Sequence, residues 1–132
     1  MKRERDNRRR GDVGMFSLPV LASNPKTPER TTPPVEAVVD TGSEYTWLPA
    51  TVLLDAGLEP RREQVFVLAS GERITRRMGY AIVAAGGYET ADDVVFAEPD
   101  DLSLLGARTI EGFAVYVDNI ERRLVKREAV KA

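Results

Sequence analysis

Neither cysteine nor histidine occurs among the 132 residues. Without cysteine there is no disulfide framework and no thiolate metal site. Without histidine there is no His-based catalytic triad and no ordinary zinc ligand set. Metal and nucleophilic catalysis of those kinds are excluded by inventory, and no cofactor is expected. No apolar run approaches the ~20 residues that a membrane span requires. The basic N-terminal stretch has neither an apolar segment nor a cleavage site, so it does not read as a secretory signal. The expectation is a cytoplasmic protein with no membrane contact. An excess of one charge is lacking too: the net charge is −2, with 19 Lys/Arg against 21 Asp/Glu. Residues 1–10 carry six Lys/Arg against Glu4 and Asp6, which leaves −6 on the remainder. No aromatic residue accompanies those basic residues as a stacking platform, so nucleic acid is not an expected partner. Residues 1–13 read as a flexible basic tail.

What is present fits one domain, residues 14–132, with a modest core. The most informative stretch is Val38-Val39-Asp40-Thr41-Gly42-Ser43. Two β-branched residues suit a strand. The acid, hydroxyl, glycine and hydroxyl that follow suit a tight loop that presents a carboxylate among hydrogen-bond donors. Strand-like segments are expected at 15–21, 35–39, 45–48, 65–68, 73–83, 88–96, 115–117 and 123–125. Residues 24–34, rich in proline, read as a solvated connection, and the acidic loop 98–101 as a solvated one. Pro49 at a first helical position and Gly57 just past the end mark one short helix, and 107–112 a second. About eight short strands with two short helices make a mostly-β barrel or sandwich.

The Asp-Thr-Gly-Ser loop after an apolar strand, a mid-chain hairpin, and Leu104-Leu105-Gly106 before a short helix occur in that order. In this the chain resembles the retropepsin-like aspartic proteases, the family of retroviral proteases, and looks closest to their small single-domain prokaryotic relatives. The resemblance covers about residues 14–126. It implies a closed β-barrel, the acid protease fold, in a homodimer that hydrolyses a peptide or protein substrate. It makes Asp40 the catalytic acid and Thr41, Gly42 and Ser43 its supporting loop. The Gly42 N–H would donate to the carboxylate, the Ser43 hydroxyl to its outer oxygen, and the Thr41 hydroxyl across the subunit boundary. Leu68, Ala69, Ser70, Gly71 and Glu72 match the tip of the flap that closes over bound peptide. Leu104, Leu105 and Gly106 match the segment packed beneath the catalytic loop, and the termini match strands that interleave between subunits. Two departures stand out. Ala107 takes the place of the arginine that follows this glycine in retroviral members, with Arg108 one place later and Glu44 in the place of its acidic partner. Gly71 alone stands where those flaps have several glycines.

A lone carboxylate cannot supply both the base that activates water and the acid that protonates the scissile group. Two aspartates sharing one proton can, as is established for aspartic proteases as a class. At ~3 Å and an effective dielectric of ~20, two full charges repel by about 5 kcal/mol, enough to keep one proton on the pair. This chain contains one such loop and room for one lobe, so the second acid is expected to come from a second copy on a two-fold axis. The same fold could instead serve as a weak or inactive module for dimerisation or peptide binding. The loop letters also resemble the phosphate loop of sugar kinases and actin-like ATPases, which needs a far longer chain.

Overall fold

The computed structural model describes residues 15–132; the stretch 1–13 read as a tail lies outside them. Among the described residues the chain forms β1 (Ser17–Asn24), β2 (Thr27–Thr31), β3 (Val35–Val39), β4 (Thr46–Pro49), α1 (Ala50–Asp55), β5 (Arg62–Val67), β6 (Arg73–Ala85), β7 (Tyr88–Ala97), β8 (Leu104–Leu105), α2 (Ala107–Gly112), β9 (Val115–Asp118) and β10 (Arg123–Lys126). The mostly-β reading holds, with two more strands than expected. One is β2, inside the segment read as a solvated connection. All of it except Thr27 is exposed, and it is held by antiparallel pairing to the end of β1. Pro49 ends β4 and stands just before the helix, one place earlier than expected, with a ψ of 132° that is extended and not helical. Past Lys126 the chain has no further strand.

Eight strands form one sheet in the order β2-β1-β3-β8-β4-β7-β6-β5, and β9 pairs with β10 separately. The sheet curls far enough for β1 to pair also with β6, from Val20 opposite Ala85 to Ser23 opposite Ile82. Alternation explains the curl. Ala81, Val83 and Ala85 of β6 are buried, as are Val20 and Ala22 of β1, so both strands turn one face to a shared interior. Ala37 and Val39 of β3, Leu48 of β4, Val94 and Phe96 of β7, and Leu105 of β8 complete that interior. Leu53 of α1 and Ile110 of α2 cover it.

The strand directions matter for the site. β3 runs parallel to β8, with Val38 opposite Leu104 and Val39 opposite Leu105. On its other side β8 meets β4 at Trp47. The two strands that flank the 40–45 loop are therefore not paired with each other. Residues 104–105 are inserted between them.

Candidate functional site

Asp40 follows directly from β3. Its N–H donates to the Leu105 carbonyl at 3.0 Å, so the backbone that presents the carboxylate is fixed from β8. The chain then turns sharply, with the Ser43 N–H donating to the Asp40 carbonyl at 3.1 Å. The Gly42 N–H donates to Asp40 Oδ1 at 2.9 Å, the contact expected of this glycine. Ser43 behaves differently. Its hydroxyl donates to the Tyr45 carbonyl at 2.9 Å, which closes the loop onto its own exit and leaves it off the carboxylate. Thr41 and Gly42 are exposed, and Asp40 is partly so. The four loop residues thus stand together at the surface on a base that is buried.

That base is built by Leu104, Leu105 and Gly106. Leu105 is fully buried. A side chain at Gly106 would collide with the Tyr45 carbonyl, so glycine is what lets residues 43–45 lie flat on this segment. The Ala107 N–H donates to the Ser43 carbonyl at 2.8 Å, and the Arg108 N–H to the Glu44 carbonyl at 3.0 Å. Beneath runs a buried polar chain that sequence reasoning missed. The Gly106 N–H donates to Thr46 Oγ1 at 3.0 Å, Thr46 Oγ1 lies 2.6 Å from Thr109 Oγ1, and Thr109 donates to Asp92 Oδ2 at 2.9 Å. Each hydroxyl has one proton. With Thr109's directed at the carboxylate, Thr46 must donate to Thr109. Arg108 Nε lies 3.5 Å from Asp92 Oδ1, and its guanidinium stacks 5.2 Å from the Tyr45 ring centre. Arg108 thus pairs with Asp92 through its side chain, and meets Glu44 through the backbone. The only sequence signal for this set was an acid inside an apolar strand, Asp92 two residues before Val94-Val95-Phe96.

The expected flap segment is the tip of the β5–β6 hairpin. The Gly71 N–H donates to the Leu68 carbonyl at 2.8 Å and the Leu68 N–H to the Glu72 carbonyl at 2.8 Å. Ala69, Ser70 and Gly71 therefore form a three-residue loop whose last position needs positive φ, and Gly71 has φ 90°. All five residues 68–72 are exposed. Below the tip, Phe66 turns inward onto Trp47, with ring centres 5.0 Å apart, and meets Tyr45 edge-on at 6.1 Å. Between the hairpin and the Asp40 loop lies a groove of about 430 Å³ lined by Ser43, Glu44, Tyr45, Trp47 and residues 64–68. It joins two segments singled out separately in the sequence. Such a groove, walled by aromatic rings and edged by strand backbone, can receive an extended peptide.

The acidic 98–101 loop is not simply solvated, contrary to expectation. Asp101 receives two hydrogen bonds from Arg76 of β6, Nε to Oδ2 at 2.7 Å and Nη2 to Oδ1 at 2.9 Å. Among the described residues, no cluster of acidic side chains is arranged to hold a metal ion. No helix there is long and apolar enough to cross a membrane.

These features have a counterpart in known sequences. The family model described as aspartyl protease matches residues 31–109, a span that takes in the Asp40 loop, the hairpin and the 104–106 segment. No curated protein matches the chain. The match covers more than half of the 132 residues and agrees with the strand–loop–hairpin order described above; the chain belongs to the aspartyl protease family.

Proposed function

We propose that this protein is an aspartic endopeptidase that works as a homodimer, with one Asp40 from each copy facing the other across a two-fold axis. The observation that carries the reading is the Asp40 carboxylate, held by the Gly42 N–H at 2.9 Å in a loop whose next residues, Ser43 and Glu44, line the groove beside the hairpin. The pairing of β1 with both β3 and β6 supports a sheet closed into a barrel, and residues 14–132 are taken as one protease domain. A water lies between the two carboxylates. The ionised Asp40 removes one of its protons as the oxygen adds to the substrate carbonyl carbon. The protonated Asp40 gives its proton to the carbonyl oxygen, so the product is a neutral geminal diol. On collapse a carboxyl proton passes to the leaving nitrogen, the C–N bond breaks, and a diol hydroxyl gives its proton to the other carboxylate as it becomes the product carbonyl, so the pair regains its single shared proton. No acyl-enzyme forms. The 68–72 tip closes over the substrate, and Glu44, Tyr45 and Trp47 line one side.

The test is Asp40→Asn, which preserves shape and removes the base. Peptide hydrolysis is expected to fall at least ~1,000-fold while sedimentation still reports a dimer. Retained turnover would end the proposal. One observation favours a second reading, a module that binds peptides without cleaving them: Ser43 is engaged with Tyr45, which leaves Asp40 with one fewer donor. A peptide library assayed with and without a statine-type inhibitor separates the two. Inhibitor-sensitive cleavage marks the enzyme, and tight binding without turnover marks the module.

A further inference from the structure

The ladder between β6 and β7 ends where Arg77 faces Phe96. Beyond it, residues 73–76 pair with β5 alone. The outer half of the hairpin is therefore a two-stranded ribbon, and an isolated ribbon of that kind is marginal in water. At the first position past the ladder stands Arg76. Its fork grips Asp101 at 2.7 and 2.9 Å, and the two side chains are only 15% and 14% exposed. The Glu98 N–H donates to the same Asp101 Oδ2 at 2.8 Å, which fixes the carboxylate from its own loop. The Glu98 carboxylate adds a looser contact, 3.8 Å from Arg76 Nη1.

The position of Asp101 in the chain gives the pair its consequence. Two residues later the Ser103 carbonyl accepts the Val38 N–H, and two residues after that Leu105 accepts the Asp40 N–H. Val38 and Asp40 belong to the segment that presents the carboxylate. A hold on Arg76 is thus a hold between the hairpin and the backbone under Asp40. On the facing side Phe66 rests on Trp47, and Trp47 lies opposite Leu104 of the same strand β8. Two-point contact fixes angle as well as distance, which a lysine in place of Arg76 could not do.

We propose that Arg76 and Asp101 are positioning residues for the reaction put forward above. Their ion pair sets the hairpin's height over the groove, and with it the fit of bound peptide against Asp40. They do not touch the reacting atoms. The inference rests on the endopeptidase reading for its kinetic arm alone. Trp47 is the sole tryptophan and touches the hairpin through Phe66, so its fluorescence reports the hairpin's seat without any turnover.

The test is Asp101→Asn in the full-length chain, with Arg76→Lys as a milder second variant. Both are expected to red-shift Trp47 emission in the folded protein and to make it several-fold more accessible to acrylamide. In hydrolysis, KM is expected to rise roughly ten-fold with kcat changed less than about two-fold. The exchanged pair Arg76→Asp with Asp101→Arg should recover part of both effects. Wild-type emission, quenching and KM in folded Asp101→Asn would overturn the proposal. So would a loss of stability with Trp47 unchanged in the native state, the signature of a purely structural pair. If Asp101→Asn does not fold, Arg76→Lys decides by the same readings. If the wild-type protein hydrolyses nothing, the endopeptidase reading fails, and fluorescence alone decides whether the pair seats the hairpin.

Discussion

At the scale of single residues, Gly106 carries more than its size suggests. The sequence marks it as the end of an apolar pair, and the structure adds that no side chain fits between it and the Tyr45 carbonyl. Gly106→Ala must push residues 43–45 outward or bend α2 away, and forced overpacking of this kind costs about 1–3 kcal/mol. The unfolding free energy from urea denaturation is expected to fall by that amount, and an unchanged value would refute the tight contact. The Asp40 loop itself was legible because its chemistry is local: a carboxylate, a glycine two places on, and a turn. The Thr46–Thr109–Asp92 chain was not. Its members lie at positions 46, 92 and 109, their types are common, and only burial together makes them a unit. Ser43 shows the limit of transferring a role by resemblance. Its hydroxyl had a nearer acceptor in the Tyr45 carbonyl.

At the scale of elements, apolar alternation revealed what faces the interior and missed what does not. β3 and β6 were visible because their buried residues recur about every second place, and β7 because it ends in an unbroken buried run from Val94 to Ala97. β2 was invisible because Pro28, Glu29 and Arg30 face water and contribute nothing but backbone to the sheet. β5 begins at Arg62, three residues before the expected start, since Arg62 and Glu63 are also exposed. The charged residues that matter to the hairpin were hidden for a related reason: an arginine and an aspartate 25 positions apart read as surface until their side chains are seen to meet.

That pair makes the hairpin sensitive to acid. Burial pushes the Asp101 carboxyl up, but hydrogen bonds from Arg76 and the Glu98 N–H, with Arg76's charge, outweigh it and hold the group below the usual carboxylate value. Arg76 is raised in turn, chiefly by its hydrogen bond to Asp101. A carboxyl lowered by folding contributes its stabilisation in full above its unfolded value of ~3.9, and loses it as pH falls through the folded value. Hydrogen exchange at residues 73–76 should therefore keep its protection down to about pH 4 and lose it below, before the core strands do. Protection that falls together with the core, or persists in Asp101→Asn, would contradict this.

At the scale of the whole molecule, the family was readable from one motif in its order with two others, and the match over residues 31–109 agrees; the mostly-β class was readable from the strand pattern. If each site needs one Asp40 from each copy, inactive subunits spoil active ones. Mixing wild-type protein with an equal amount of Asp40→Asn, then allowing exchange, gives random pairing in which about a quarter of dimers are wild-type on both sides. If one intact carboxylate is not enough, activity per wild-type chain should drop to about half of its starting value under these conditions. Activity unaffected by the mixing would show that each chain works alone.

The insertion of residues 104–105 between β3 and β4 also governs when the site can exist. Val38 finds its neighbour more than sixty positions further along the chain, and pairings that close such long loops form late and slowly. During synthesis the motif at 40–43 leaves the ribosome well before the strand that shapes it has been made. A nascent or interrupted chain thus holds the letters of the motif without the strand that seats them, and the Asp40 loop cannot take its final form until translation has passed the second leucine of that pair.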